Sequence, residues 1–561
     1  MSGADLAARG LAARSLAFNA ALGGAEGAQS VGYRRDIAEA VLRPVSTVIR
    51  QMGLTPGDFG ALGDGIHDDG TALAAFAETV GQVGEGIVQL GSGTFAIGQN
   101  ASGGSLKWTD SHGGMVGRGM TRTILSNVNP AGGRVFDFGA SCSHLYFADM
   151  TFDGGFGAGL ANDLEHIIFN RCRFTTRPGL LANAMKLVTD NMSGGIRTVY
   201  FVDCEFRDAG RMNFELQNHN NDGTARYADI HFIRPRIVGA GKVNAALGMG
   251  LSFTGKGDNA TVHSPYFDGN AGPQLENAGC DRLVMRDAMI RAATAPVDVP
   301  PISFSGRRVA YNANSQCSID GLTLVRAVGD PGGRPTIQSE LSFEVSDALT
   351  LRNMKLAVAS DAGTNGWHVL SIKGTGTDDD GQPKTCGPVT VEHCDLWSDA
   401  ENRPVIACHT LTGEQVIAGN TITNGNPSRV GPLVAAFAES GADAYTVHLS
   451  ANRMAAAVPH SAQSFVFKNN AAALKIEADN PGLPVRSRAV STIPAGSVSG
   501  PLIGHDLPNA GLQLSARPLG PTSGGGVPYG SLHAGSTQMR ANLETQASAD
   551  VTVELDLTAS L

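Results

Sequence analysis

The chain has 561 residues, with 42 Lys and Arg against 52 Asp and Glu, and a formal net charge of −10. This acidic balance argues against a general nucleic-acid-binding protein, and there is no run of about 18 apolar residues to predict a membrane span. The first residues lack the apolar core of a secretory signal peptide. Eight cysteines without paired spacing favour neither a disulfide framework nor a zinc module. We therefore expect no membrane span, no nucleic-acid partner and no cofactor.

Residues 1–57 are rich in Ala and Arg, with an amphipathic pattern over 35–52. Pro44 interrupts that pattern, so either one helix or two short helices are expected. The sequence predicts a helical N-terminal segment.

Residues 58–97 change their hydrophobic period partway through. Residues 58–69 are rich in Gly and Asp and predict turns, and Asp68 and Asp69 offer N-cap carboxylates to a short helix over 71–80. Beyond that helix the period falls to two, which predicts short strands. This order resembles the N-terminal cap of right-handed parallel β-helices of the pectate-lyase-like superfamily. The matching positions are Asp58, Phe59, Gly60, Ala61, Gly63, Asp64, Gly65, Asp68, Asp69 and Ala72.

Between residues 86 and 475 a short pattern recurs every 22 to 40 residues. The pattern is an apolar residue, two further residues, a residue that is apolar or Asn, one further residue, and a last apolar residue. Such a repeat is too short for a domain and predicts the coils of a solenoid. The repeats are Phe147/Met150/Phe152, Phe169/Cys172/Phe174, Phe201/Cys204/Phe206, Phe232/Pro235/Ile237, Val262/Pro265/Phe267, Met285/Ala288/Ile290, Ile319/Leu322/Leu324, Leu351/Met354/Leu356, Val391/Cys394/Leu396, Ile417/Asn420/Ile422 and Leu449/Asn452/Met454.

The offset within this pattern predicts a bend. A strand alternates its faces, so the first and second positions can both face inward only if the chain bends between them. Residue types that tolerate turn or left-handed backbone occur near that point: Asn170, Asp203, Asn353 and Gly419. Cys172 and Cys204 share one register, and we expect them to be stacked interior free thiols.

The two ends of the chain resemble parts of phage tailspikes. Residues 30–51, SVGYRRDIAEAVLRPVSTVIRQ, resemble the connector that joins the particle-attachment part to the enzyme body. Beyond the last repeat, short strands separated by Gly and Pro predict a small antiparallel β-sandwich, similar to a compact C-terminal domain of some phage tail proteins. We therefore expect an all-β protein in three parts. These are a helical connector over 1–57, a right-handed parallel β-helix over 58–478 with its cap at 58–85, and a C-terminal β-sandwich over 479–561 for capping and trimerisation.

Two glutamates lie at the same offset in their repeats. Glu215 is nine residues beyond Phe206, and Glu276 is nine residues beyond Phe267. Equal offsets predict the same position around the solenoid, two coils apart, with backbones roughly 9.6 Å from each other. That spacing is compatible with the ~6.5–9.5 Å separation of an inverting glycosidase pair. Aspartates on neighbouring coils could replace one member: Asp208, Asp222, Asp258 and Asp268.

The neighbours of the two glutamates differ, which predicts different roles. Glu215 lies between Phe214 and Leu216, whereas Glu276 precedes Asn277 near turn glycines. We therefore expect Glu215 to be the general acid and Glu276 to be the base that activates water.

Amides and cations near these glutamates suit sugar hydroxyls and uronate carboxylates. They also suit a lyase, in which a cation neutralises the carboxylate and a base removes the adjacent proton. The superfamily includes hydrolases and lyases, so the fold does not choose between them. The predicted substrate-binding residues are Arg211, Asn213, Gln217, Asn218, His219, Asp222, Lys242, Lys256 and Asp268.

A metal site is not predicted. Asp378, Asp379, Asp380 and Gly381 lack the remaining ligand spacing of a calcium loop. No Gly-x-Ser-x-Gly nucleophile motif occurs either.

The resemblance implies a phage tailspike-type depolymerase that binds and cleaves a bacterial surface polysaccharide (capsule, exopolysaccharide or O-antigen) by glycoside hydrolysis. It also implies a homotrimer in the virion, attached to the phage tail or baseplate through the N-terminal segment. Three alternatives stay open: a polysaccharide lyase of the same fold, a non-catalytic receptor-binding spike, and an extracellular bacterial enzyme of the superfamily.

Overall fold

The chain folds as a parallel β-solenoid in a computed structural model, which confirms the predicted fold class. The structure describes residues 55–456 except 84–85, 99–105, 109–110, 130–133, 139–140, 159–162, 190–193, 221–223, 292–299, 305–313, 326–338, 344–346, 359–367, 375–385, 402, 410, 428–431 and 438–444. Outside that range it describes the backbone of strands only. The one described α-helix is Gly70–Val83, and the described 3-10 helices are Pro56–Phe59 and Ala245–Leu247.

The solenoid strands form three parallel sheets, named I, II and III in the order in which each full coil passes through them. Sheet I contains Ile87–Gln89, Gly113–Val116, Ile196–Val202, Tyr227–Ile233, Val284–Arg286, Ser315–Asp320, Asp347–Arg352, Val389–Glu392, Glu414–Ala418, Thr446–Ser450 and Ala473–Ile476. Sheet II contains Asp64–Asp68, Gly93–Ile97, Thr123–Asn127, Glu205–Arg207, Arg236–Val238, Tyr266–Asp268, Met289–Arg291, Thr323–Val325, Lys355–Val358, Asp395–Ser398, Thr421–Asn424 and Arg453–Ala456. Sheet III contains Leu106–Trp108, Phe136–Phe138, Phe156–Ala158, Met185–Thr189, Phe214–Asn218, Leu275–Asp281, Ile302–Phe304, Ser339–Phe343, His368–Lys373, Ile406–His409, Val434–Phe437 and Val466–Lys468. Two long strands, Cys142–Asp153 and Leu164–Thr175, run through sheets I and II, and Leu251–His263 runs through sheets III and I.

The repeat residues stack in register, as predicted. Phe147 pairs with Phe169, which pairs with Phe201, and the same column continues coil by coil to Leu449. The third residues of the repeats form a second column, which runs alongside the first from Phe152 to Met454. These side chains are buried inside the solenoid. The hydrophobic core is therefore a bundle of ladders along the solenoid axis.

Aromatic rings strengthen the first part of this core. The ring of Phe201 stacks between Phe169 and Phe232, with centroid distances of 5.1 and 4.7 Å, and Phe174 stacks on Phe206 at 5.0 Å. Stacked and edge-to-face pairs add to the energy of apolar burial.

A left-handed residue lies two positions after the first repeat residue in every described coil from Phe147 to Leu449. This explains how strand alternation is broken so that both neighbouring repeat positions face inward. The bend residues are Asp149, Arg171, Asp203, Arg234, Ser264, Asp287, Gly321, Asn353, His393, Gly419 and Ala451. The structure also shows a second left-handed column, which the sequence did not predict. It lies three positions before the first repeat residue, at His144, His166, Thr198, Asp229, Asn259, Arg282, Gln316 and Ala348.

Charged bend residues pair along the column. Arg171 donates two hydrogen bonds to Asp149, both of 2.7 Å, and Arg234 donates two to Asp203, of 2.7 and 2.8 Å. These bidentate contacts join neighbouring coils at the surface.

All eight cysteines are buried free thiols. Cys172 and Cys204 hold equivalent positions, because each Sγ lies 3.4 Å from the carbonyl oxygen of the previous coil's first repeat residue, Phe147 and Phe169 respectively. The prediction of interior thiols is confirmed.

The cap follows the predicted order with one difference. The helix Gly70–Val83 buries Leu73 and Phe76, but the predicted turn segment contains a strand, Asp64–Asp68, that pairs with Gly93–Ile97. Asp68 accepts the N–H of Gly70 at 2.9 Å, as expected of an N-terminal helix contact. The Asp69 carboxylate instead accepts the N–H groups of Leu62 and Gly63, so it holds the preceding loop.

The two ends are described by their strands alone. Arg43–Pro44 pairs antiparallel with Gly32–Tyr33, so the amphipathic stretch over 35–52 is not one continuous helix. Its remaining residues lie outside the described part of the chain. After the solenoid, two three-stranded antiparallel sheets agree with the predicted β-sandwich. One sheet contains Arg486–Ile493, Leu512–Pro518 and Val551–Ala559, and the other contains Ile503–Gly504, Pro528–Leu532 and Gln538–Leu543.

The corner between sheets II and III varies most among the coils around the candidate site. Only Gly154 and Gly155 separate the two sheets in one coil, whereas residues 239–250 do so three coils later. Side chains from these corner loops surround the polar residues described below. Within the described residues, no helix is long and apolar enough to cross a membrane.

Candidate active site

A column of polar residues runs along the outer surface of sheet III. Lys186 pairs with Glu215, Glu215 with Ser252, and Ser252 with Glu276. Their strand neighbours, such as Phe214 and Leu216, face the core. The two glutamates are therefore in one column, two rungs apart, with a serine between them.

Three donors surround one oxygen of Glu215. Asn183 Nδ2 donates to Oε2 at 2.6 Å, Lys186 Nζ lies 3.1 Å from it, and Arg211 Nη1 lies 4.0 Å away. Asn183 is itself oriented by the N–H of Met212, which donates to its Oδ1 at 3.3 Å. Glu215 is only 3% exposed. An amide donor and two cationic side chains therefore face the Glu215 carboxylate.

Glu276 has a different environment. Ser252 Oγ donates a 2.7 Å hydrogen bond to its Oε2. Burial raises the pKa of Glu276 above its ordinary value, the Ser252 hydrogen bond partly opposes this increase, and the charge of Glu215 adds to it. Glu276 is thus favoured as a proton donor.

These environments differ from those that the chain neighbours suggested. Phe214 and Leu216 flank Glu215 along the chain but point into the core, because successive residues of a strand face opposite sides. The surroundings of the Glu215 side chain are instead Asn183 and Lys186. The acid role predicted for Glu215 therefore rests on chain neighbours that face the other side of the sheet.

A groove of about 830 Å³ lies beside this column, along sheet II and its corner loops. Asp153 and Arg207 are two rungs apart in its wall, and Asp208 follows Arg207. Burial raises the pKa of Asp153, whereas the hydrogen bond from Ser126 and the charge of Arg177 act in the opposite direction. The lining residues are Met120, Thr121, Ile124, Thr151, Asp153, Arg173, Thr175, Thr176, Arg177, Pro178, Gly179, Arg207, Asp208, Gly210 and Lys242.

The 208–213 corner loop connects the groove to the glutamate column. Gly210 lines the groove, and the next residue, Arg211, approaches Glu215. Lys242 lies in the groove, 3.7 Å from Asp208. Gln217 lies in the outer column next to that of Glu215, and its Oε1 is buried with no hydrogen-bond partner among the described residues.

Other predicted substrate-binding residues have structural partners. Asn213 is fully buried, and its Nδ2 donates to Val238 O at 3.0 Å and to Asn270 Oδ1 at 2.9 Å. Asn218 is buried and donates to two backbone carbonyls. Because these amides hold neighbouring coils together, neither is available to a sugar.

The remaining predicted residues lie elsewhere. His219 is exposed beyond the end of its strand. Lys256 contacts Asp281, Asp258 contacts Arg282, and Asp268 accepts a 3.1 Å hydrogen bond from Tyr266. Asp222 and the aspartates at 378–380 lie outside the described residues. In the part of the chain that the structure describes, no three His, Cys, Asp or Glu side chains form a metal-binding group.

Sequence reasoning missed Ser252, Lys186 and Asn183. The nine-residue offset that relates the glutamates falls on Asn183 when it is counted from Phe174. Lys186 pairs with Glu215 but lies twelve residues beyond Phe174, because its corner loop is longer. Ser252 follows the long 239–250 corner loop, so its offset within the repeat differs.

No family model matches the chain. Two mannuronan C5-epimerases of Azotobacter vinelandii are each 35% identical to it over 104 residues, which is 17% of this chain. The match spans only 7% and 6% of those relatives' own lengths.

Solved structures of phage tailspikes are similar over most of the chain. The tailspike of Pseudomonas phage phi297 has a TM-score of 0.54 at 10% identity, covering 90% of this chain and 98% of that one. The tailspike of Pseudomonas phage LKA1 has a TM-score of 0.52 at 13% identity, covering 91% and 100%. The tailspike of E. coli bacteriophage HK620, solved in complex with a pentasaccharide, has a TM-score of 0.51 at 13% identity, covering 97% and 100%. The chain therefore shares the parallel β-helix fold of the phage tailspikes.

Proposed function

We propose that the protein is a tailspike-type depolymerase that binds a bacterial surface polysaccharide and hydrolyses its glycosidic bonds. One observation supports this best. Glu215 and Glu276 lie two rungs apart in one column, and their contacts differ, with an amide and two cations beside Glu215 and a serine hydroxyl beside Glu276. The tailspike of HK620 has been solved with a pentasaccharide, which makes a carbohydrate the natural ligand class to test.

In this mechanism Glu276 donates its proton to the leaving-group oxygen, and Glu215 activates a water molecule on the opposite side of the sugar ring. Two rungs correspond to roughly 9.6 Å between backbones, near the ~6.5–9.5 Å expected between the carboxyl groups of an inverting enzyme. Lys186 and Arg211 hold the Glu215 carboxylate in place. Ser252 stabilises the Glu276 carboxylate that remains after proton transfer.

The variants Glu215→Gln and Glu276→Gln test this pair, because Gln keeps the side-chain size and an oxygen acceptor. With polysaccharide from the host surface, each should lose about 10²–10⁴-fold in the rate of reducing-end release. Glu414→Gln is the matched control, since Glu414 is 81% exposed and lies in a later coil of sheet I. Nuclear magnetic resonance should show a product anomer opposite to that of the substrate. Full activity in both variants would refute the pair, and Asp153 and Asp208 would become the next candidates.

A polysaccharide lyase is the second candidate. The cations Lys186 and Arg211 beside Glu215 could neutralise a uronate carboxylate while a base removes the adjacent proton. The partial match to mannuronan epimerases points to the same class of sugar. An unsaturated uronate in the product, seen by its ultraviolet absorbance, would select the lyase.

We further propose that three chains assemble into a virion spike attached to the phage tail through residues 1–57. The similarity to tailspikes over nearly the whole chain supports this. Sedimentation should give the mass of a trimer. A stable monomer at micromolar concentration would favour an extracellular bacterial enzyme, and a trimer that binds but does not cleave would favour a receptor-binding spike.

A further inference from the structure

We infer that the sheet II groove binds a carboxylate-bearing sugar unit of the polysaccharide, with Arg177 as the residue that recognises the carboxylate. The inference rests on the proposed function for the class of polymer, and it adds the charge of the sugar and the place where it binds.

Two of the four cationic side chains that line the groove are paired closely with acidic side chains. Arg173 donates to Glu205 at 2.7 Å, and Arg207 donates to Asp208 at 2.7 Å and to Glu205 at 3.2 Å. Those two arginines are therefore neutralised by acidic neighbours.

Arg177 and Lys242 differ from them. Among the described residues Arg177 forms no ion pair, and its Nη1 donates only a long 3.4 Å hydrogen bond to the carbonyl oxygen of Asn129. Lys242 is 55% exposed and lies 3.7 Å from Asp208. Both line the groove, whose lining has four cationic side chains against the two carboxylates of Asp153 and Asp208, on a chain whose net charge is −10. A guanidinium binds a carboxylate through two parallel hydrogen bonds, which makes Arg177 the better recognition group.

The rest of the groove suits a sugar ring. Met120, Ile124 and Pro178 provide apolar surface, and hydroxyls of Thr121 and Thr175 line the same cavity. Its volume of about 830 Å³ is within the ~300–1,000 Å³ of typical ligand sites. The 208–213 corner loop lies between the two sites, since Gly210 lines the groove and Arg211 Nη1 is 4.0 Å from Glu215.

Calorimetric titration of the full chain carrying Glu276→Gln tests the inference with short oligomers of mannuronate and of galacturonate. Each oligomer is compared with its counterpart in which the carboxylates have been reduced to alcohols. We expect at least one uronate oligomer to bind more tightly than its reduced form. Arg177→Gln should weaken that binding by about tenfold or more and leave the reduced oligomers unaffected. Arg453→Gln, at the far end of sheet II, is the control and should change neither.

Three results would overturn the inference: no preference for uronate oligomers, an equal effect of Arg177→Gln on both ligand forms, or weakening by Arg211→Gln alone. The readout is binding, so it is independent of cleavage. Failure of the glutamate variants to reduce cleavage would leave the binding result standing, and loss of the uronate preference would leave hydrolysis of a neutral polymer intact.

Discussion

Ser252 provides the sharpest test of the acid role of Glu276. Its hydroxyl donates the 2.7 Å hydrogen bond to Glu276 Oε2, and this bond is strongest once the carboxyl has lost its proton. A hydrogen bond to a charged group contributes about 1.5–3 kcal/mol. If Glu276 carries most of its negative charge in the transition state, Ser252→Ala should slow cleavage by roughly 10–100-fold.

The pH profile gives an independent readout of the same variant. The Ser252 hydrogen bond lowers the pKa of Glu276 against the effect of burial, so removing it should raise that pKa further. A general acid works only while protonated, so the alkaline limit of activity should move to higher pH. Ser303→Ala is the matched control. Ser303 pairs with Glu276 from the following coil, as Ser252 does from the preceding one, and it is half-buried. A wild-type rate and pH profile in Ser252→Ala, or an equal loss in Ser303→Ala, would refute the assignment.

Two further predictions concern the scaffold. Phe201→Ala should lower the free energy of unfolding by about 3–5 kcal/mol in guanidinium denaturation, because the Phe201 ring lies between two stacked neighbours. Phe437→Ala is the control and should lower it clearly less, because that ring is half-buried and stacks on His409. Equal losses would contradict the role of the stacked core column. Burial raises the pKa of the Cys172 thiol well above its ordinary value, and Cys204 is buried in the same way. A thiol reagent should therefore not modify either residue in the folded protein. Rapid labelling of either, measured by mass spectrometry, would argue against their interior position.

Much of the fold could be predicted because the repeat residues are large and apolar. The column from Phe147 to Leu449 and the bend after it follow from that pattern and from turn-tolerant residues such as Asp203 and Asn353. The second bend column was missed because residues such as Thr198 and Gln316 have no marked preference for left-handed backbone. The strand Asp64–Asp68 was missed because its polar, glycine-containing sequence is typical of a turn.

The site was predictable only where loop lengths happen to agree. Glu215 and Glu276 share an offset because the corner loops before their strands, 208–213 and 269–274, have equal length. Their roles could not be read from chain neighbours, since Phe214 faces the other side of the sheet. Arg177 carries no signal in the sequence, because its place in the groove depends on residues from five coils.

The left-handed bend makes the scaffold modular. From Phe147 to Leu449, the first and third repeat residues are always five positions apart, so the passage from sheet I to sheet II has a fixed length. The corner between sheets II and III has no such restriction near the site, and there it ranges from two residues to the twelve of 239–250. Residues inserted at that corner leave the pairing between coils unchanged. Grafting corner loops from one solenoid of this design onto another could therefore transfer glycan preference without changing the buried core residues.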